Sequence, residues 1–307
     1  MNPPLTGVYS VLPTPFSPSG EIDTYSLKRV IDLYIHAGVD GLTATGVTSE
    51  TARLSDSERL GIVEFIMTHV ATRVPVAVGT SADGLSTCIE LSRHAKTLGA
   101  AAVVISPPRM PRLNSDAVVK HFHSVTNAVD LPIIIQDYPP VSGFTMEPPL
   151  LIRIAREVPH ARTIKLEDPP TPYKIARVLE QRIDLHLGIL GGLGGMYLLE
   201  ELMAGATGVM TGFAIPELLV NIVRLYQSGE TQKAAELFYQ SVALMRFEFQ
   251  EGIGMAIRKE ILRRRGAIAN AGIRAPGSSL DSSTEKALDS LLHWFQKQHK
   301  EIAWTLD

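Results

Sequence analysis

Eight short apolar runs rich in β-branched residues recur along the chain, each followed by a longer stretch with helical spacing. They are roughly Gly7 to Leu12, Gly41 to Ala44, Val74 to Gly79, Ala101 to Ile105, Ile133 to Asp137, Thr163 to Leu166, Leu185 to Leu190 and Gly208 to Thr211. A repeated strand-helix unit points to a parallel sheet, because neighbouring parallel strands must be joined by a crossover and the crossover helices cover the sheet. Eight such units close a sheet into a ring. The expected architecture is therefore α/β, a (β/α)8 TIM barrel over residues 1–225. A doubly wound open sheet is the competing arrangement, and alternation alone does not separate the two. The first strand leads into Ser10-Val-Leu-Pro-Thr-Pro-Phe-Ser-Pro-Ser-Gly20, with proline where a glycine-rich nucleotide turn would stand, so no dinucleotide cofactor is indicated.

The helical candidates are Thr24 to Ala37, Ser57 to Val70, Ser86 to Leu98, Ser115 to Val125, Glu147 to Val158, Thr171 to Leu179, Met196 to Ala204 and Pro216 to Gln227. In the second of them Leu60, Val63, Met67 and Val70 share one face, and Asp56 or Ser57 is placed to cap its start. The chain runs on past the eighth strand. Thr231 to Arg264 and Ser283 to Gln298 read as further helices, with a Gly/Pro/Ser stretch around Gly272 to Ser282 between them. Residues 226–307 are expected to form a helical carboxy-terminal extension packed on the barrel as one structural unit.

At 307 residues the chain suits one barrel. Its net charge of −3 and scattered lysines and arginines offer no basic stripe, which argues against a nucleic-acid partner. The lone Cys88 falls on the apolar face made with Leu91, Ala95 and Leu98 and reads as a packed thiol. One cysteine permits neither an internal disulfide nor a cysteine zinc cluster. With no basic leader followed by an apolar run, and no uninterrupted apolar stretch long enough to span a bilayer, the expectation is a cytoplasmic protein with no membrane partner.

Barrel enzymes carry their chemistry at the carboxy-terminal ends of the strands. Four places stand out there: Thr45-Gly46-Val47-Thr48-Ser49-Glu50 after the second run, Gln136-Asp137-Tyr138 after the fifth, Thr163-Ile-Lys165-Leu-Glu167-Asp168 on the sixth, and Gly188-Ile-Leu-Gly-Gly192-Leu-Gly-Gly195 on the seventh. Lys165 interrupts an apolar strand, where a charged amine is costly unless paired or neutralised. A neutral lysine attacks carbonyls and yields an iminium that acts as an electron sink; the structural alternative is a lysine paired with Glu167 or Asp168. Tyr138 offers a phenol for proton transfer, or else a rim tyrosine. Thr48 and Ser49 could hold a carboxylate with hydroxyls and backbone N–H groups, or simply form a turn capping the next helix. The seventh loop, with Gly192, either brings backbone close to a ligand, a phosphate included, or makes a tight connection. His121 and His123 lie two apart in a helical pattern and do not face one another, so they suggest no metal pair.

Together these residues resemble the dihydrodipicolinate synthase and N-acetylneuraminate lyase family over nearly the whole chain. The resemblance implies that Gly46-Val47-Thr48-Ser49-Glu50 receives the carboxylate of pyruvate, that Tyr138 is the proton-transfer tyrosine and that Lys165 is the Schiff-base lysine. It also implies a homotetramer or homodimer with no cofactor and no metal; Gly192 and Met210 are further candidates for binding the substrate. Three features of the synthases are missing. Val47 stands where they carry a relay hydroxyl, the loop Ser106-Pro-Pro-Arg109-Met-Pro-Arg112 lacks their tyrosine, and Tyr138-Pro-Pro-Val-Ser-Gly-Phe144 lacks their arginine. Ser49 also replaces the turn glycine. The expectation is a Schiff-base lyase, aldolase or dehydratase, acting on pyruvate or another 2-oxo acid. In that reading Lys165 is the nucleophile, Tyr138 the acid and base, Thr48 and Ser49 the carboxylate site, and Arg109 a contact for a distal anionic group, while Glu50 braces its loop. The alternatives are a dihydrodipicolinate synthase proper, a non-catalytic small-molecule-binding barrel and a phosphate-binding barrel enzyme.

Overall fold

In the computed structural model, which describes residues 3–300 and residue 302, eight parallel strands form a closed ring in sequence order. They are β1 (Gly7–Val11), β2 (Gly41–Ala44), β3 (Val76–Gly79), β4 (Ala102–Ile105), β5 (Ile133–Asp137), β6 (Thr163–Leu166), β7 (Gly188–Gly191) and β8 (Gly208–Thr211). The ring closes through β1 and β8, with Gly7 opposite Gly208 and Tyr9 opposite Met210. Alternate residues point inward, and Tyr9, Val11, Ala77, Ala102, Val104, Ile134, Leu190 and Met210 pack there as an apolar interior. The opposite faces, led by Val8, Leu42, Val103, Ile135 and Ile164, pack under the helices in the larger core.

The helices between strands are α1 (Thr24–His36), α2 (Asp56–Val70), α3 (Leu85–Thr97), α4 (Ser115–Ala128), the single turn α5 (Pro139–Ser142), α6 (Pro148–Glu157), α7 (Thr171–Glu180) and α8 (Leu198–Met203), with α9 (Pro216–Gln227) after β8. The cap of α2 is Ser55, one residue before the two candidates named from sequence: its hydroxyl accepts from the Glu58 N–H while the Glu58 carboxylate accepts from the Ser55 N–H. Cys88 is a free, fully buried thiol, pushed up to about 11 by that burial. Among the described residues no helix is long and apolar enough to cross a membrane.

The carboxy-terminal segment forms α10 (Thr231–Glu248), α11 (Gly254–Arg264) and α12 (Ser282–Gln298). Thr231 to Arg264 is thus two helices rather than one. The break falls at Phe249 to Ile253, where Gly252 takes φ +81° and a side chain on Gly254 would strike the Glu248 carbonyl. Two ion pairs join these helices to the barrel, Lys259 with Glu50 and Arg265 with Glu217 at 2.5 Å, while Arg258 of α11 pairs with Glu248 of α10 at 2.5 Å beside Gly212, just after β8. Arg274 adds two bonds of 2.8 Å to Glu58.

Glu50 and Lys259 are both fully buried as side chains, so removing one partner leaves the other's charge stranded in a low-dielectric interior. Lys259→Met should therefore lower the unfolding free energy by roughly 3 kcal/mol, read as a shifted midpoint at unchanged slope in urea denaturation. A loss within experimental error would mean that the carboxylate finds enough compensation from Arg53 and the Arg274 N–H.

Candidate active site

The carboxy-terminal mouth of the barrel opens into a cleft of about 400 Å³ whose lining includes Val47, Arg59, Asp83, Ser106, Gln136 and Lys165. Lys165 sits on β6 opposite Gln136 of β5, both pointing inward. It is 4% exposed, and its Nζ lies 2.9 Å from Glu167 Oε2. Glu167 follows β6, but its N–H still donates to the Asp137 carbonyl at 2.9 Å, so the strand's alternation continues and returns its side chain to the face of Lys165. Gln136 Nε2 donates to the same carboxylate oxygen at 2.9 Å, and Ser106 Oγ donates to Gln136 Oε1 at 3.3 Å.

Tyr138 follows directly on β5, half-buried. Burial, then the charges of Glu167 and Glu251, push its phenol above the ordinary tyrosine value. Behind the strands a second charged group forms. Lys174 Nζ lies 2.7 Å from Asp137 Oδ2 and 2.7 Å from Asp168 Oδ2. Burial pushes the Asp137 carboxyl up to about 6, against the pull of Lys174. Glu201 accepts a 2.6 Å hydrogen bond from Thr171, and burial pushes it up to about 8.

The turn after β2 is a short 3-10 segment, Val47–Ser49, followed by Glu50 at φ +58°. The hydroxyl of Ser49 is committed to backbone: it donates to the Leu12 carbonyl at 2.5 Å and accepts from the Gly46 N–H at 3.1 Å. The Ser49 N–H is also taken, by the Gly46 carbonyl at 3.0 Å. Thr48 differs, because its Oγ1 is buried beside Gly212 with no hydrogen-bond partner. Glu50 joins Lys259, Arg53 at 3.3 Å and the Arg274 N–H at 3.2 Å, which ties this turn to the carboxy-terminal helices.

Three of the residues named from sequence are placed differently from Lys165. Arg109 is exposed and lines a separate surface groove with Met110, Ser142, Gly143 and Phe144, because the chain turns outward after Pro107 and the Arg109 N–H is anchored on Asp83 Oδ1 at 2.9 Å. Met210 belongs to the packed apolar interior with Tyr9 and Leu190. Gly192 lies against Glu167, and a side chain there would collide with the glutamate's methylene and carboxylate. The seventh loop is filled in the same way by Glu201 at Gly191 and by Phe249 at Gly194, so it is a tight connection, and the buried Glu167 carboxylate against Gly192 opposes a phosphate.

Sequence reasoning missed the Gln136 amide, the Lys174 group and Glu201. Gln136 had a readable signal, a polar side chain one residue before Asp137 in an otherwise apolar strand.

A closed eight-stranded barrel with a buried, carboxylate-paired lysine at its carboxy-terminal mouth defines an α/β-barrel enzyme. Residues 4–294 match the model of the dihydrodipicolinate synthetase family. The chain is 33% identical to the L-2-keto-3-deoxyarabonate dehydratase of Azospirillum brasilense, over 92% of each protein. It is also similar to a crystal structure of dihydrodipicolinate synthase from Rhodopseudomonas palustris, with TM-score 0.89 and 33% identity over 94% of this chain and 97% of that one. A third relative is Escherichia coli YagE, described as a putative 2-dehydro-3-deoxy-D-gluconate aldolase, 27% identical over 94% of this chain and 96% of that protein. Its crystal structure, from a complex with pyruvate, superposes with TM-score 0.89 over 95% and 99% of the two chains. The protein belongs to the dihydrodipicolinate synthetase family and is a lyase of that family.

The raised Glu201 and Asp137 carboxyls have a consequence for stability. Both hold a proton more tightly folded than unfolded, so the stability they contribute is complete below the unfolded carboxyl value of about 4 and is lost as pH rises through the folded one. The melting temperature should therefore carry a declining component between about pH 5 and 8, which Glu201→Gln should flatten in scanning calorimetry. An unchanged slope in the variant would show that Glu201 is ionised in the folded protein.

Proposed function

We infer that the protein is a Schiff-base lyase for 2-oxo acids, with 3-deoxy-2-oxo sugar acids as the substrate class. The observation that carries this reading is Lys165, a nearly enclosed primary amine at a strand end, facing a cleft large enough for a five- or six-carbon acid. Lys165 Nζ attacks the substrate C2 carbonyl, and loss of water from the carbinolamine gives the iminium. Tyr138, whose raised pKa keeps its phenol protonated, hydrogen-bonds the carbinolamine oxygen and delivers the proton with which that oxygen leaves. The substrate carboxylate is received by the turn after β2. There Thr48 supplies the unpartnered hydroxyl, and Val47 and Thr48 supply first-turn amides that have no carbonyl partner within the turn. Ser49 contributes by holding that turn rather than through its own hydroxyl.

Two of the relatives have names that supply the substrate class, 2-keto-3-deoxyarabonate and 2-dehydro-3-deoxy-D-gluconate. The apolar Val47 in the cleft lining argues against a proton relay at that point, and with it against a synthase proper. A binding protein without turnover would have no need for an amine sequestered beside a carboxylate. The reading includes a cytoplasmic homotetramer or homodimer, and a single structural unit in which residues 226–307 brace the barrel of residues 1–225. The buried pairs of Glu50 with Lys259 and of Arg265 with Glu217 support that unit.

Incubation with pyruvate and with 3-deoxy-2-oxo pentonates and hexonates, then reduction with borohydride, should leave a stable adduct on the Lys165 peptide. Lys165→Ala should abolish it, and an unmodified Lys165 in folded protein with every acid tested would sink the reading. Tyr138→Phe should lower kcat by about 100-fold or more while KM moves by less than about threefold. An equal kcat in the variant would remove Tyr138 from the proton path.

A further inference from the structure

The carboxylate beside Lys165 has more arranged around it than an ion pair needs. Glu167 is 7% exposed. Both of its close polar contacts, from Lys165 Nζ and Gln136 Nε2, fall on Oε2, and Ser106 fixes which end of the Gln136 amide faces the carboxylate. Gly192 leaves the space that its Cγ and Oε1 occupy. A charged pair at this depth adds little stability over an apolar pair of the same size, so its position next to the nucleophile calls for another explanation. In an imine on Lys165, substrate C3 is two bonds from Nζ, and a carboxylate touching Nζ lies alongside it.

We propose that Glu167 is a catalytic residue that carries the C3 proton of the Lys165 imine to the departing C4 hydroxyl, making this chain a dehydratase of 3-deoxy-2-oxo acids. The proposal rests on the lysine-imine reading above. In the first step Glu167 takes the C3 proton. The C3–H electron pair becomes the C2=C3 bond, the iminium π pair returns to Nζ, and a neutral enamine faces a carboxylic acid. In the second, the nitrogen pair re-forms the iminium, the C2=C3 pair moves to C3=C4, and the C4–O bond breaks. The oxygen keeps that pair, takes the proton from Glu167 and leaves as water. Hydrolysis then consumes one water and releases a 2-oxo-3-enoic acid and free Lys165. The net change is loss of one water, with no oxidant or reductant involved. Tyr138 does not substitute, because a phenol held above its usual value suits a hydrogen bond to oxygen better than removal of a proton from carbon.

The test uses the full chain, pyruvate in heavy water and the 3-deoxy-2-oxo acids. Wild-type protein should trap pyruvate on Lys165, exchange the pyruvate methyl protons for deuterium, and convert the sugar acids to products lighter by one water. Glu167→Gln should reach the same trapping end point while methyl exchange and dehydration both fall by about 100-fold or more. Gly192→Ala keeps every proton-carrying group but displaces the Glu167 carboxylate. It should slow exchange by about tenfold at an unchanged trapping end point, with a melting curve confirming the fold. Exchange within about threefold of wild type in Glu167→Gln, with the adduct intact, overturns the role of Glu167 and leaves the imine standing. Release of pyruvate and an aldehyde from the sugar acids overturns dehydration. Absence of any adduct in the wild type removes the imine reading itself.

Discussion

The ring closes at one seam, where β8 meets β1 and Gly208 stands opposite Gly7. A side chain on Gly208 would run into the Gly7 backbone, so the approach of these two strands depends on glycine at that point. Without the seam, both strands would expose unpaired backbone edges. The polar ends of β5 and β6 would also face an open sheet surface in place of an enclosed mouth. Closure puts Gln136, Lys165 and Glu167 over an apolar floor of Leu190 and Met210, where a charge is felt strongly and water is scarce.

Enclosure creates a second requirement, because loops that carry polar groups above such a floor must be held from outside. The carboxy-terminal helices do this with buried charges. Lys259 reaches Glu50 in the turn that carries Thr48, and stacks over the Phe16 ring at 4.4 Å. Arg258, 2% exposed, lies under Gly212 and is neutralised by Glu248, which also accepts from the Ala214 N–H. Apolar packing would stabilise these contacts about as well. What the ion pairs add is direction, since each has a fixed donor and acceptor geometry that sets the position of the turn.

Much of this was legible in the chain. The strands were visible because parallel barrel strands are buried on both faces and so read as unbroken apolar runs. Lys165 was visible because it breaks one of those runs. Glu50 could be read as a brace, although its partner Lys259, far along the chain, could not be named. Where the reading ran out, the deciding contact was remote or the backbone direction was unknowable. Arg109 was drawn to the mouth by its place after β4, but Pro107 and the Asp83 anchor turn it away. Met210 packs in the apolar interior, and inward register alone does not tell floor from mouth. Ser49 carries a hydroxyl in the right turn, and the Leu12 carbonyl claims it. The Lys174, Asp137 and Asp168 group needs side chains from two strands and a helix to converge outside the barrel, which no local pattern encodes.

The pairing of Lys165 with Glu167 also bears on how the site keeps its charge in balance. At rest an ammonium faces a carboxylate at 2.9 Å. In the proposed reaction, moving one proton from nitrogen to oxygen gives a neutral amine and a neutral acid, so the nucleophile is released without stranding a charge in the interior. As the carbinolamine loses water in that reaction, Glu167 gives up the proton it took, passed through Tyr138 to the leaving oxygen, and the positive charge returns as an iminium on the same nitrogen facing the restored carboxylate. Each later proton transfer proposed between carbon and Glu167 would again convert an ion pair to a neutral pair, or the reverse. The enclosed mouth thus never holds one uncompensated charge on these two groups, whereas a lysine with no acidic neighbour would have to pass its proton to distant water and carry the imine's charge alone.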